Sequence, residues 1–337
     1  MINSIQILRG IAAFGVFFSH YALFGIHAGS FGVDIFFVIS GFVIAFVVNR
    51  DTKDFLIKRI IRVSPLYIIA TLITASFAFL KPEWFKSVVL NSEALIKSLL
   101  YIPYRFKDSG PILSLGWTLN FEMFFYLVMT LCILIINNKK RLIICCSLLL
   151  ITFLLILNIV SINYYPLQFY KEGLLPEFIF GLFLYYFWES LNTIDSKDKI
   201  RLVYFFIGIS SLLFLIYNSV TKDFTFLPRN LVTGIPLLLL VGGCMAIEPY
   251  LSNQNKFVKI MSFVGDSSYA MYLFHPFILY GLTRLIFPLL FTGAESIVTE
   301  VIKFILASSI LVLVSLVIHN FLDKPLNKRL RNIILKK

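Results

Sequence analysis

The chain has 337 residues, of which 59% are hydrophobic and only 14% are charged, and its formal net charge at pH 7 is +12. A soluble domain is about half apolar and about a quarter charged. This composition, with a mean hydropathy of +0.88, excludes an ordinary soluble enzyme and predicts a polytopic membrane protein.

Apolar stretches long enough to cross a bilayer recur along the whole chain, and they predict an all-α fold with about ten transmembrane helices. The predicted spans are 4–24, 30–49, 63–80, 113–136, 142–162, 173–190, 202–220, 230–247, 260–283 and 299–321. We expect a single transmembrane domain over 1–323, followed by a basic tail over 324–337. The N-terminus lacks the basic region that opens a signal peptide, so we expect the first span to be retained as a helix.

Basic residues are distributed unequally between the connections that join these spans. Connections 50–62, 137–141, 191–201 and 248–259, together with the tail 324–337, hold 19 Lys and Arg. The alternate connections, 81–112, 163–172, 221–229 and 284–298, hold 9, although they contain more residues. The positive-inside rule therefore predicts that both termini are cytoplasmic. This placement also accounts for the net charge without a nucleic-acid partner.

The first span carries two ionisable residues on one face. Arg9 and His20 are eleven residues apart, which is close to three full helical turns and about 16 Å along the axis. One interpretation is a functional face, with a cation in the inner half and an imidazole in the outer half. The other is that Arg9 extends to the cytoplasmic interface and His20 is an interfacial histidine.

The second span begins with GVDIFFVISGF, residues 32–42, in which Asp34 interrupts an apolar run. The short preceding turn predicts that Asp34 lies beside His20, where a carboxylate would orient the ring and raise its basicity. The alternative is that Asp34 stabilises the first turn of its own helix through the helix dipole.

The cytoplasmic stretch FLIKRIIRVSPLY, residues 55–67, places Arg59 and Arg62 three residues apart on one helical face. Two guanidinium groups at this spacing can bind phosphate through paired hydrogen bonds. An ordinary basic membrane anchor would show the same pattern. On the outer side, the long connection 81–112 is expected to form short interfacial helices.

The later spans hold further polar candidates. Glu122 lies about a third of the way into the fourth span, where direct chemistry and pairing with an arginine of another helix are equally compatible with the sequence. His275 precedes Pro276, whose missing N–H frees backbone carbonyls that the ring could bind, and a packing role is favoured. Glu177 is expected to lie in the first turn of its helix. Lys303 and His319 are expected near the membrane interfaces, and His27 falls in an outer turn.

The four cysteines all fall inside predicted spans and show no CxxC spacing, so neither a disulfide framework nor a metal site is expected. They are Cys132, Cys145, Cys146 and Cys244.

Taken together, these stretches resemble the acyltransferase 3 family of integral membrane acyltransferases. The matching motifs are Arg9 and His20 with ten residues between them, FFVISGF at 36–42, Arg59 and Arg62 followed by Pro65 and Tyr67, a Trp-Thr-Leu-x-x-Glu stretch ending at Glu122, and a Ser-Tyr-x-x-Tyr-Leu-x-His stretch ending at His275. Each motif alone is weak, but five in this order are specific.

The resemblance implies an O-acyltransferase of the bacterial inner membrane. Such an enzyme moves an acyl group, usually acetyl, from cytoplasmic acetyl-CoA to a hydroxyl of an O-antigen, capsule or exopolysaccharide at the outer face. Many family members carry a further extracytoplasmic domain, and we expect a stand-alone form here. The oligomeric state is not predicted.

The resemblance also implies roles for individual residues. His20 would be catalytic, as general base or as transient acetyl carrier, with Asp34 supporting it and Glu122 as a further polar group of the site. The arginines matching the family pattern, Arg9, Arg59 and Arg62, would bind the CoA donor. Ser40 and Gly41 are small enough to let another helix or the pantetheine chain approach closely.

Two other classes fit some of these features. A transporter or flippase for a lipid-linked saccharide would also have many spans with buried charges, but the chain shows no internal repeat. An inner-membrane polysaccharide polymerase would rely on a large outer loop, and 81–112 lacks an evident catalytic pattern.

Overall fold

The computed structural model describes residues 2–23, 29–106, 109–160, 163–172, 174–193, 199–224, 226–227, 229–252, 254–291 and 296–335. Across these ranges the regular secondary structure is helical, apart from an isolated bridge between Phe106 and Ser109. The predicted all-α fold is therefore confirmed. His27 lies outside the described residues.

Fifteen α-helices are described in these ranges. The first eight are α1 (Asn3–Tyr21), α2 (Gly32–Arg50), α3 (Phe55–Leu80), α4 (Ser92–Leu99), α5 (Gly116–Ile135), α6 (Lys139–Ile159), α7 (Tyr165–Phe169) and α8 (Leu175–Leu191). The others are α9 (Ile200–Thr221), α10 (Ile235–Ala246), α11 (Lys256–Asp266), α12 (Ser268–Gly281), α13 (Phe287–Leu290), α14 (Ile297–Ile318) and α15 (Lys324–Ile334).

Three π-helical turns continue or join these helices. Asn230–Gly234 leads into α10, Leu282–Ile286 joins α12 to α13, and His319–Asp323 joins α14 to α15. The helices α14 and α15 are thus parts of one continuous helical segment, Ile297–Ile334.

Seven helical segments of the described chain are long and apolar enough to cross a membrane. They are Gly32–Arg50, Phe55–Leu80, Gly116–Ile135, Lys139–Ile159, Ile200–Thr221, Ser268–Leu290 and Ile297–Ile334. The prediction of a multi-pass membrane protein is therefore confirmed. The other three predicted spans correspond to α1, α8 and the shorter apolar helix Leu231–Ala246, so the number ten stays a prediction.

Two element boundaries differ from the sequence prediction. The predicted span 260–283 is divided at Ser267 into α11 and α12, where the stretch Gly265–Ser268 contains poor helix formers. The α3 helix begins at Phe55 rather than at 63, because the basic stretch continues the apolar helix without a break. Arg59 and Arg62 therefore lie on the span itself.

The chain forms two compact units. The first comprises Met1–Ile39 and Phe183–Lys324, and the second comprises Ser40–Leu182 and Pro325–Lys337. The helices α2 and α8 each continue from one unit into the other.

In the first unit, α1 packs on α11 and α12, and α12 packs on α14. The contact between α1 and α11 is close because Gly265 has no side chain: a Cβ there would lie 1.9 Å from the Gln6 carbonyl oxygen. Phe17 of α1, Met271 of α12 and Leu311 of α14 belong to one buried apolar cluster. These three helices form the support for the polar groups described below.

In the second unit, α3 packs on α4 and α5, and α5 packs on α6. The predicted interfacial region 81–112 contains α4, which begins at an Asn91 cap whose side chain accepts from the Ala94 amide. The Tyr67 hydroxyl of α3 donates to the Ser98 carbonyl at 3.0 Å and fastens this region to the helix.

Candidate active site

The ring of His20 is held by its own helix at the end of α1. Its Nδ1 lies 2.8 Å from the Val16 carbonyl oxygen, four residues earlier, and the residue is exposed. A carbonyl oxygen can only accept a hydrogen bond, so Nδ1 carries the proton of the neutral ring. The Nε2 atom of the neutral ring is then the basic nitrogen.

The ring of His275 lies against His20, with 4.9 Å between the ring centroids and an angle of 55° between the planes. His275 is completely buried, and its Nδ1 lies 2.7 Å from the Tyr272 carbonyl oxygen. Proline has no N–H, so Pro276 leaves this carbonyl without its usual helical donor, and the imidazole supplies one. The prediction that the proline provides a partner for His275 is confirmed.

The two histidines line one cavity of about 570 Å³ in the first unit. Its wall also includes Tyr21 of α1, Tyr280 of α12, and Glu300 and Lys303 of α14. The Lys303 ammonium lies 2.7 Å from a Glu300 carboxylate oxygen. His20 thus faces a space large enough for a small molecule with polar groups on one side.

Asp34 is buried in the first turn of α2 and forms an ion pair with Arg229. The Asp34 side chain is 3% exposed, and that of Arg229 is 47% exposed. We expected Asp34 to contact His20, but the contacts described for His20 are with Val16 and His275. The charge of Asp34 is therefore compensated by a guanidinium group that the sequence analysis placed in an outer connection.

Arg9 belongs to a hydrogen-bonded chain between α1 and α11. Its guanidinium donates to the Gln6 side-chain oxygen at 3.2 Å, and the Gln6 amide donates to Asp266 at 2.8 Å. Gln6 is one turn before Arg9 on the same face, so its position was readable from spacing. The contact with Asp266 could not be predicted from spacing, because α11 ends at this residue and the sequence predicted a continuous span there.

Glu122 accepts hydrogen bonds from two hydroxyl groups in the second unit. Ser40 donates at 3.1 Å, and Tyr126, one turn further along α5, donates to the same carboxylate oxygen. The Arg59 guanidinium carbon lies 6.0 Å from the centre of the Tyr126 ring. The structure therefore brings together Glu122, Ser40 and Arg59, with Tyr126 between them. Sequence reasoning missed Tyr126, although an i,i+4 spacing from Glu122 was visible.

Arg59 and Arg62 lie near the N-terminal end of α3 and are both partly exposed. Arg59 also packs against Phe55, with 5.7 Å from its guanidinium carbon to the ring centre. Neighbouring Lys58 is instead bound to Asp51 at 2.8 Å, and this hydrogen bond lowers the pKa of the Asp51 carboxyl. The predicted pair of guanidinium groups is thus present on one helix.

Gly41 is a site of helix packing. A Cβ at this position would lie 2.2 Å from the Phe178 carbonyl oxygen and 3.0 Å from the Gly181 Cα, both on α8. Of the two partners considered for this small residue, a helix and a pantetheine chain, the structure places the helix there.

Three further ionisable residues are described. Glu177 lies in the first turn of α8, as predicted, and is completely buried. His319 lies 2.9 Å from Asp323 in the turn after α14. Arg201 is buried and donates to the carbonyls of Leu191 and Ala246, which indicates a structural role at two helix ends.

The described residues contain no cluster of three or more His, Cys, Asp or Glu side chains that could hold a metal ion.

Comparisons with known proteins identify relatives over most of the chain. A family model described as an acyltransferase domain matches residues 2–320. Exopolysaccharide production protein ExoZ of Rhizobium meliloti (strain 1021) is 28% identical over 258 residues, which are 74% of this chain and 76% of that protein. A "Putative O-acetyltransferase" of Staphylococcus aureus (strain COL) is 25% identical over 303 residues, which are 80% of this chain and 49% of that protein. The chain thus spans about half the length of the staphylococcal relative. No solved structure is significantly similar.

Proposed function

The chain belongs to the acyltransferase 3 family and is a multi-pass membrane acyltransferase, and on this premise we propose that it transfers an acetyl group from cytoplasmic acetyl-CoA to a hydroxyl of a cell-surface saccharide. O-antigen, capsule and exopolysaccharide are the proposed acceptor classes. The name of the rhizobial relative refers to exopolysaccharide production, which supports a saccharide acceptor here.

The observation that carries this proposal is the state of His20. Its Nδ1 is committed to the Val16 carbonyl, and the exposed ring borders a cavity of about 570 Å³. A general base needs a free nitrogen within reach of the hydroxyl it activates. The ring orientation leaves Nε2 for this purpose.

In the proposed reaction, His20 Nε2 takes the proton of the acceptor hydroxyl as its oxygen attacks the thioester carbonyl. The C–S bond breaks, CoA leaves as a thiolate, and the imidazolium returns the proton to the sulfur. In the alternative sequence, Nε2 attacks the thioester first and the hydroxyl then attacks acetyl-histidine. Both sequences require the same nitrogen.

The remaining site residues are assigned supporting roles. We assign Arg59 and Arg62 to the phosphates of CoA, because paired guanidinium groups bind phosphate strongly. We also assign Arg9, which donates to Gln6, to binding of the donor. Asp34 would position α2 through its pair with Arg229. Glu122 would position Ser40 and Tyr126 near Arg59.

We further propose the bacterial inner membrane as the location, with ten spans and both termini in the cytoplasm. The excess of basic residues in alternate connections supports this orientation. Acetyl-CoA would then reach Arg59 and Arg62 from the cytoplasm, while the saccharide is acetylated at the outer face.

The test measures transfer of labelled acetyl from acetyl-CoA to surface polysaccharide, using the purified full-length protein in lipid vesicles. His20→Gln keeps much of the side-chain volume but cannot take a proton, so transfer should fall by a factor of about 10² or more. His319→Gln is the matched control, because His319 pairs with Asp323 and does not line the cavity. Wild-type transfer by His20→Gln would refute both reaction sequences. No transfer by the wild type would refute the proposed function itself.

A further inference from the structure

The cavity beside His20 contains an ion pair that the proposed chemistry does not use. Glu300 and Lys303 lie one turn apart near the start of α14, with 2.7 Å between their charged groups. The Lys303 side chain is only 18% exposed, less than an ammonium group at a freely hydrated interface would be. The pair therefore forms part of the cavity wall and not simply a solvated helix surface.

The same wall offers flat aromatic surfaces beside this pair. The Lys303 ammonium lies 5.6 Å from the centre of the Phe291 ring, and the ring of Tyr280 also lines the cavity. Thr283 of the π turn Leu282–Ile286 is another wall residue, and π turns inside helices often occur at functional sites. The cavity thus combines apolar faces with charged hydrogen-bonding groups, as small-molecule sites do.

His275 supplies an independent indication of a ligand. Its Nδ1 is engaged by the Tyr272 carbonyl, and its buried Nε2 has no hydrogen-bond partner among the described residues. Because Nδ1 carries the ring proton, Nε2 is an acceptor that lacks a donor. Leaving such an atom unsatisfied costs free energy. Because His275 lines the cavity, a ligand hydroxyl could satisfy its Nε2 once the side chains that cover this atom shift.

We propose that this cavity is the acceptor subsite and that it selects a neutral pyranose, with Glu300 and Lys303 as the specificity-determining residues. This inference rests on the proposed acyl transfer at His20. A carboxylate only accepts hydrogen bonds and an ammonium only donates them. Hydroxyls on adjacent ring carbons can do both, so one donates to Glu300 while its neighbour accepts from Lys303.

The charge balance distinguishes this occupant from others. The pair is electroneutral, so the carboxylate of an acidic sugar would have to compete with Glu300 for Lys303 and would be repelled by Glu300. A lipid chain has no polar group that could form a hydrogen bond with Glu300, Lys303 or His275 Nε2. A neutral sugar can form hydrogen bonds with Glu300 and Lys303 and place its C–H face on the aromatic rings.

The test measures ligand binding by saturation-transfer NMR with the full-length protein in lipid nanodiscs and without acetyl-CoA. The probes are methyl β-glucoside, methyl β-galactoside and the acidic methyl β-glucuronide. We expect the wild type to bind at least one neutral glycoside more strongly than the glucuronide. Glu300→Gln and Lys303→Met should each weaken that binding at least tenfold.

Lys97→Met is the matched control, because Lys97 and Glu93 form a similar ion pair on α4, with 2.5 Å between their charged groups. The control should bind as the wild type does. Unchanged binding in Glu300→Gln and Lys303→Met, a preference for the glucuronide, or no glycoside binding by the wild type would each overturn the inference. Because these readouts need no acetyl donor, failure of acyl transfer is detected separately.

Discussion

The ring of His20 forms a hydrogen bond with a backbone carbonyl four residues earlier on its own helix. Asp34 instead forms an ion pair with a residue far away in the sequence. The first type of contact follows from helical spacing, which is why the placement of Arg9 and His20 on α1 was predictable. The second depends on how the turn before α10 folds back onto α2. A sequence pattern gives no distance between such segments, so the Asp34–Arg229 pair was missed.

Breaking this pair from its two sides should have unequal effects. Arg229→Gln leaves a buried carboxylate without its counter-charge and should lower the free energy of unfolding by about 1–3 kcal/mol. Asp34→Asn removes the buried charge itself, retains a first-turn polar group, and should cost less. The measurement is thermal unfolding in detergent for both single variants and the double variant.

In the double variant Asp34→Asn with Arg229→Gln, part of the loss from Arg229→Gln should be recovered. Strictly additive effects would show that the two side chains do not interact in solution. If Asp34→Asn instead lost acetyl transfer with unchanged stability, the originally expected role of Asp34 beside His20 would be favoured.

The donor arginines give a second prediction at the scale of single residues. Arg59→Ala or Arg62→Ala should weaken acetyl-CoA binding about tenfold or more, since each removes a charge-assisted hydrogen bond. Lysine at either position should restore only part of the affinity, because a point charge cannot form the paired contacts of a guanidinium group. Binding can be measured by calorimetry on the detergent-purified protein.

Arg50 provides a control for the loss of one arginine from the same connection, 50–62. Its guanidinium carbon packs 3.9 Å from the centre of the Phe46 ring at the end of α2. Arg50→Ala should bind acetyl-CoA as the wild type does. Undiminished affinity in the double alanine variant of Arg59 and Arg62 would remove both residues from the donor site.

At the scale of helices, hydropathy predicted which segments are apolar, and polar interruptions hid some boundaries. The α3 helix was predicted too short because Lys58, Arg59 and Arg62 made its first two turns resemble a loop. The predicted span 260–283 was too long because its mean hydropathy averages over the break at Ser267. That break places Asp266 at a helix end, where it binds Gln6. The poor helix formers Gly265–Ser268 account for this break, and a hydropathy average over the whole span does not detect them.

Substitution of Gly41 tests whether close packing between α2 and α8 requires a glycine at this position. Gly41→Ala would place a methyl group 2.2 Å from the Phe178 carbonyl oxygen, so α2 or α8 must move. Overpacking of this kind costs about 1–3 kcal/mol, and the midpoint of thermal unfolding should fall. Gly281→Ala is the matched control, because a Cβ there meets nothing within 4 Å.

The control variant should be neutral or slightly stabilising, since alanine favours helix more than glycine does. If Gly41→Ala kept wild-type stability but raised the KM for acetyl-CoA, the space beside Gly41 would instead belong to the pantetheine chain.

At the scale of the whole molecule, composition predicted the all-α membrane fold directly, because backbone groups in a bilayer must be satisfied within helices. The number of membrane-spanning helices was harder to predict from the sequence. The helices α1 and α8 carry ionisable residues, among them Arg9, His20 and Glu177. These residues lower the mean hydropathy of both helices. A membrane span that carries ionisable residues is therefore harder to recognise from hydropathy.

The orientation of the chain is the remaining prediction, and it decides from which side acetyl-CoA enters. A cysteine introduced at Ser30 should react with an impermeant thiol reagent applied to intact cells with a permeable outer envelope. A cysteine at Asn137 should react only after the inner membrane is opened. Both positions are exposed. Asn137 is preferred to Asn138, because the Asn138 side chain caps α6 by accepting from the Arg141 amide at 3.1 Å.

The parent protein is the control for reaction of its native cysteines, which lie on α5, α6 and α10. Labelling of Asn137→Cys but not Ser30→Cys in intact cells would invert the orientation derived from the basic connections. Arg59 and Arg62 would then face away from the cytoplasmic pool of acetyl-CoA. In that case a cytoplasmic donor could not bind these two arginines, even if the chemistry at His20 were correct.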